Sequence, residues 1–106
     1  MTRVVNCKKE SFDIYIGRHP NPIIGKWGNP YTHIDKDTLA QFVVKSREEA
    51  IEKYREYILN KPELLNCLDE LENKTLGCWC KPDSCHGDVL LELLTNRNLL
   101  KLKNNE

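Results

Sequence analysis

The sequence has no surplus of charge. Its 106 residues hold 16 Lys plus Arg against 16 Asp plus Glu, a formal net charge of zero. Proteins dedicated to duplex DNA or to membrane surfaces usually carry a basic excess, so duplex nucleic acid is disfavoured as a partner. A small anionic ligand needs only a local positive field and stays open. No apolar run approaches a membrane span. The opening "MTRVVNCKKESF" lacks the apolar stretch of a signal peptide, so the expected location is cytoplasmic. Cysteines number five, an odd count that reads in a non-secreted chain as reduced thiols rather than a disulfide framework. Repeats, low-complexity tracts and linkers are absent, and the length suits one domain over residues 1–106.

Periodicity is what the chain does have. Arg3–Asn6 reads as a short strand. In "SFDIYIGR", Phe12, Ile14 and Ile16 alternate with Asp13 and Tyr15, the period of a half-buried strand. "DTLAQFVV" reads as a short helical segment capped by Asp37. "SREEAIEKYREYILN" is a stronger helix, with Ser46 and Glu49 at capping-box spacing and Ala50, Ile51, Tyr54, Tyr57 and Ile58 on one face. "PELLNCLDELEN" reads as one further helix joining Leu64, Leu65, Leu68 and Leu71, opened by Pro62. "KTLGCWC" reads as a buried strand, "KPDSCHG" as a loop, and "DVLLELLTN" as a helix with Val89, Leu90, Leu93 and Leu94 inward. The tail over residues 101–106 is expected to fray. Strands interleaved with helices predict a single small α/β layered domain, Rossmann-like, with a mainly parallel sheet. Ligands of such sheets bind at the carboxyl ends of the strands, where both irregular loops begin.

The first loop, "GRHPNPIIGKWGNPY", packs three glycines and three prolines into fifteen residues. Long irregular loops in small domains are usually functional. Arg18 and Lys26 are candidates to hold anionic groups, and Trp27 or Tyr31 to stack on a base. Asn29 is a candidate to read a base edge or to order its turn. The alternative is a solvated loop with Trp27 in the core and Gly28-Asn29-Pro30 as a tight turn. The glycine spacing matches neither a P-loop nor a dinucleotide fingerprint.

The second loop lies in "CWCKPDSCHGD". On a strand, Cys78 and Cys80 share one face and Trp79 takes the other, where it reads as packing. Four readings compete. Cys78, Cys80, Cys85 and His86 have zinc-donor chemistry but unsuitable spacing, so no metal is assigned. Cys85 at a helix start, with His86 beside it, has the makings of a nucleophile and its base, the two catalytic candidates. The amides of Ser84 to Asp88, with Gly87 permitting close approach, suit an anion, and Asp88 could cap the helix or accept from a ribose. Lastly, the cysteines could be small core residues, the reading given to Cys7 and Cys67.

"DIYIGR", "WGNPY", "SREEAIEKYREYIL" and "GCWCKPDSCHGDVLLELL" together resemble the phage and bacterial family called domain of unknown function 4326. The resemblance covers residues 3 to 95 and places Gly17, Arg18, Trp27, Gly28, Asn29, Pro30, Cys78, Trp79, Cys80, Pro82, Cys85, His86, Gly87 and Asp88 in the pattern. A more distant similarity, to a family with "GNPF" and "CHR" motifs, implies a Rossmann-like setting. Small phage proteins of this kind include sponges for nucleotide-derived immune signals. The expectation is therefore a protein that binds a small nucleotide-like ligand. A host immune signalling nucleotide, cyclic or ADP-ribose-derived, sequestered in the host cytoplasm, would be its target if the chain is phage-encoded. The expected ligand contacts are Gly17, Arg18, Lys26, Trp27, Gly28, Asn29, Tyr31, Cys80, Ser84, Cys85, His86, Gly87 and Asp88, with no cofactor. The rivals are a nucleotide hydrolase or transferase using Cys85 and His86, and a zinc-stabilised interaction module. A homo-oligomer face and the core compete for Tyr54 and Tyr57.

Overall fold

Strand β5 (Thr75–Cys78) is the centre of the sheet, and its composition explains why. Leu76, Gly77 and Cys78 form a run without polar side chains and are all buried, as a strand covered on both faces requires. The computed structural model describes residues 1–34 and 39–104, with the backbone alone over 99–104. β1 (Arg3–Asn6) and β2 (Ile14–Tyr15) flank β5 in the order β1-β5-β2, both parallel to it. Arg3 pairs with Thr75 and Asn6 with Cys78, while Ile14 pairs with Leu76 and Tyr15 with Gly77. A second parallel ladder joins β3 (Tyr31–Thr32) to β4 (Phe42–Val43). The α/β class and the mainly parallel pairing expected from the sequence are both present.

Helix α1 (Arg47–Leu59) starts where the capping signal lies: Ser46 Oγ accepts from Glu49 N at 3.1 Å. Glu49 Oε2 accepts from Lys45 N at 3.1 Å, one residue before the cap. Ala50, Tyr54 and Ile58 form its buried stripe, and Tyr54 Oη donates to the Trp27 carbonyl at 2.7 Å. Helix α3 (Gly87–Asn104) buries Val89, Leu90 and Leu94. These side chains meet Ile16, Trp27, Leu71 and Leu76 in one core. α3 begins on a glycine because its first turn lies directly on the sheet. A Cβ at Gly87 would stand 2.9 Å from both Ile16 Cδ1 and Val4 Cγ2.

Several expectations are corrected. "DTLAQFVV" is not a helix over its described part: Phe42 and Val43 form β4, with Phe42 N donating to Pro30 O and Val44 N to Thr32 O. Eight residues are too few to sustain a helix without packing, and Phe-Val-Val prefers extended backbone. Asp37, the expected cap, lies outside the described residues. "PELLNCLDELEN" divides into α2 (Pro62–Leu65) and a 3₁₀ turn (Leu68–Leu71). The break falls at Asn66 and Cys67, both poor helix formers. The tighter winding places Leu68 and Leu71 above one another, and both are buried. Strand β5 ends at Cys78, so Trp79 and Cys80 belong to the loop. α3 extends beyond "DVLLELLTN", with helical backbone through Asn104; residues 105 and 106 lie outside the described set. Among the described residues, no helix is long and apolar enough to cross a membrane.

Candidate functional site

Because β2 and β5 are parallel, their carboxyl ends lie side by side, and the chain leaves both into the two irregular loops. Between these loops, β3 and the start of α1 lies a cavity of about 450 Å³. That is within the roughly 300–1,000 Å³ of small-molecule sites. Arg18 and His86 both line it, together with Tyr31, Arg47, Trp79 and Cys85. Two segments far apart in sequence therefore face one hollow.

Arg18 is half-buried, and its charge is unpaired by any carboxylate among the described residues. Its Nη1 donates to the Asn29 carbonyl at 2.8 Å and to the Tyr31 carbonyl at 3.3 Å. Two carbonyls orient the guanidinium without neutralising it. Burial lowers its pKa from the ordinary value, the mark of a cation short of solvation. Arg47 adds a second positive group: its Nη1 donates to Ser84 O at 3.3 Å and its Nη2 stands 3.9 Å from Asp83. At the rim, Trp79 is 55% exposed. Its Nε1 donates to Tyr15 Oη at 2.7 Å, and Tyr15 in turn donates to Arg18 O at 3.1 Å. Lys8 Nζ lies 5.1 Å from the indole centroid. The indole is thus tethered by its edge beside the cavity.

His86 is 7% exposed, and its Nε2 lies 2.6 Å from the Ile16 carbonyl. A carbonyl oxygen only accepts, so Nε2 carries the proton and Nδ1 is left as an acceptor. Burial pushes the ring pKa down to about 4; the hydrogen bond to Ile16 opposes the shift only in part, and nearby Arg18 adds a smaller lowering effect. The ring is neutral at pH 7 and a weak base.

Residues 2–96 match the family described as "Domain of unknown function (DUF4326)". The chain belongs to that family. This DUF4326 chain is 38% identical over 101 residues to "Uncharacterized protein R718" of Acanthamoeba polyphaga mimivirus, an alignment covering 85% of the chain and 68% of that protein. It is 34% identical over 98 residues to "Uncharacterized 12.4 kDa protein in nrdA-td intergenic region" of Enterobacteria phage T4, covering 89% of the chain and 78% of that protein. Both relatives are viral. No solved structure matches the chain at a significant level.

Of the expected contact residues, the DUF4326 fold brings Gly17, Arg18, Asn29, Tyr31, Cys80, Ser84, Cys85 and His86 to the cavity wall. It takes the others elsewhere. Trp27 is 2% exposed, with Nε1 bonded to Glu70 Oε1 at 3.0 Å, so it cannot stack on a ligand there. Lys26 pairs with the same carboxylate at 2.9 Å, and both residues border a smaller separate hollow. Gly28 serves a chain crossing: a Cβ there would stand 3.0 Å from Arg18 Cα. Gly87 meets the sheet rather than a ligand. Asp88 is occupied by Lys81 Nζ at 2.6 Å and by the amide of Cys85 at 3.1 Å. Asn29 lines the cavity, but its amide is engaged. Nδ2 donates to Ala50 O and Oδ1 accepts from Tyr31 N, both at 3.0 Å, which makes it a brace for the turn. Tyr31 stacks on Phe42, with centroids 5.1 Å apart.

The cysteines also differ from the single-face pattern. Cys78 and Cys85 meet with sulfurs 3.2 Å apart in the core, while Cys80 lies on the cavity wall. Among the described residues, no group of three or more His, Cys, Asp and Glu side chains could hold a metal ion. The contact with Cys78, with burial, pushes the Cys85 thiol pKa up instead of down. That arrangement does not make Cys85 the nucleophile its place before a helix implied.

Sequence reading missed Arg47, Tyr15 and Trp79. Arg47 left one local signal: a cation in the first turn of a helix opposes the macrodipole, so something else must favour it there. Trp79 left only its place in the family pattern, because an indole after a buried strand fits core and rim equally.

Proposed function

We propose that this protein binds a small nucleotide-like ligand in the cavity, as a binding protein rather than an enzyme. The observation that carries the reading is Arg18, a half-buried guanidinium without a carboxylate partner among the described residues, aimed by two carbonyls at a cavity wall. An anionic group bound there would meet a preoriented, partly desolvated cation, where charge-assisted hydrogen bonds are strong. Arg47 supports a second anionic contact. Trp79 is the stacking surface in place of Trp27. His86 Nδ1 offers an acceptor for a donor on a base or sugar. The weak base and the engaged thiol lend no support to hydrolysis or group transfer at neutral pH. Two viral relatives favour a role for the ligand in the contest between virus and host. The proposed purpose is sequestration, in the host cytoplasm, of a signalling nucleotide, cyclic or ADP-ribose-derived.

Native mass spectrometry with AMP, cyclic dinucleotides and ADP-ribose tests the reading. Wild type should retain at least one of them, and Arg18→Ala and Trp79→Ala should each weaken retention about tenfold or more. Ligand released by heat should be intact. Absence of binding across the panel, or equal binding by both variants, refutes the reading; a chemically altered ligand favours the hydrolase or transferase.

A further inference from the structure

We propose that Cys78 and Cys85 form a redox-active dithiol, a modification site at which a hydroperoxide closes an intramolecular disulfide.

The pair is built by the fold. Cys78 is the last residue of β5, paired with Asn6, and its carbonyl accepts from Cys7 N at 2.8 Å. Cys85 precedes α3, its amide held by Asp88 Oδ2 at 3.1 Å and its carbonyl accepting from Asp88 N at 3.0 Å. A strand end and a helix start, each separately anchored, thus present two sulfurs 3.2 Å apart. A disulfide bond is about 2.05 Å long, so the sulfurs need to close by only about 1 Å. Both are among the most buried residues, where two thiols packed as inert methyl-like groups would gain nothing from sharing a proton.

They do share one. The contact with Cys85, with the amides of Lys81 and Cys80, lowers the Cys78 pKa despite its burial. Lys81, bonded to Asp88, adds positive charge nearby. One thiolate and one thiol in contact are what disulfide closure needs. The cavity wall includes Cys85, and the Cys78 sulfur lies 3.2 Å behind it.

The chemistry balances without a cofactor. The Cys78 thiolate attacks one peroxide oxygen, the O–O bond breaks, and the departing alkoxide takes the Cys85 proton as an alcohol. Cys78 is then a sulfenic acid. The Cys85 thiolate attacks its sulfur, the S–O bond breaks, and hydroxide leaves. Two sulfurs have lost two electrons to the peroxide. The new bond ties β5 to the start of α3 around the loop that carries Trp79 and Ser84, and it removes a negative charge facing Lys81. This proposal stands apart from ligand binding in the cavity.

The test uses the wild-type protein. It is treated with hydrogen peroxide in native buffer, the remaining thiols are alkylated, and the product is mapped by peptide mass spectrometry. The expected result is loss of two hydrogen atoms and a Cys78–Cys85 cross-linked peptide that dithiothreitol reverses. It should form about tenfold or more faster than oxidation of Cys7, Cys67 or Cys80. A parallel reaction in denaturing urea should lose that selectivity. Recovery of Cys78 and Cys85 as free thiols while other cysteines oxidise overturns the proposal. So does over-oxidation without a cross-link, or equal selectivity in urea.

Discussion

Acidification should unfold this protein in a way that one residue, His86, largely controls. Its ring is neutral in the fold with a pKa pushed down to about 4, against an ordinary 6.5. Below pH 6.5 the unfolded chain binds a proton that the folded chain refuses, so stability falls as pH falls. The loss runs at about 1.4 kcal/mol per pH decade between the two values. By pH 5 it reaches roughly 2 kcal/mol, and it levels off near roughly 3 kcal/mol below pH 4. For a small domain holding about 5–15 kcal/mol in total, that is a large share. Urea denaturation of wild type and His86→Gln at pH 7, 6 and 5 isolates the effect, since every other titrating group cancels in the difference. The wild-type advantage should shrink by roughly 2 kcal/mol from pH 7 to pH 5. Should the variant not fold, the wild-type ring resonances decide: they should stay flat from pH 8 to about 5.5 and show the Nε2–H tautomer. A ring that titrates near 6.5, or parallel pH losses in the two proteins, refutes the account of His86 as a buried neutral donor to Ile16.

The two tryptophans should separate stability from binding. Trp27→Ala removes a core side chain and should cost about 3–5 kcal/mol by chemical denaturation; Trp79→Ala should cost less than about 1 kcal/mol, its effect appearing in nucleotide binding. Gly87→Ala should destabilise by about 1–3 kcal/mol, because its Cβ meets Val4 and Ile16, an effect read as a lowered denaturant midpoint. Tyr54→Phe leaves the buried Trp27 carbonyl without its donor and should cost about 1–3 kcal/mol in the same assay.

Particular residues show how far sequence reading reaches. Ser46 and Glu49 mark the start of α1, and the apolar stripe of Ala50, Tyr54 and Ile58 follows at helical spacing. These signals act between residues a few positions apart, so they survive in a one-dimensional string. Phe42 and Val43 do not: their extended state depends on Pro30 and Thr32 carbonyls more than ten residues away. "PELLNCLDELEN" has a helical pattern of leucines, yet its winding changes midway because both halves must reach one core. In the site, Arg18 and His86 were legible as polar groups after strands, whereas Arg47 carried only the weak signal of a cation in the first turn of a helix.

The sequence by itself determined the α/β class, the two loops at strand carboxyl ends, and fewer than half of the residues that face the cavity. Periodicity, capping and chain punctuation are local, and they need no knowledge of what lies opposite. Only the tertiary structure decided which tryptophan is core and which is rim, and that Cys78 meets Cys85 while Cys80 does not. Each of those outcomes depends on a partner supplied from elsewhere in the fold. Glu70 takes the Trp27 indole across 43 positions, and Tyr15 takes that of Trp79 across 64. Contacts of that range follow from how parallel strands bring their ends together, which no spacing along the chain records.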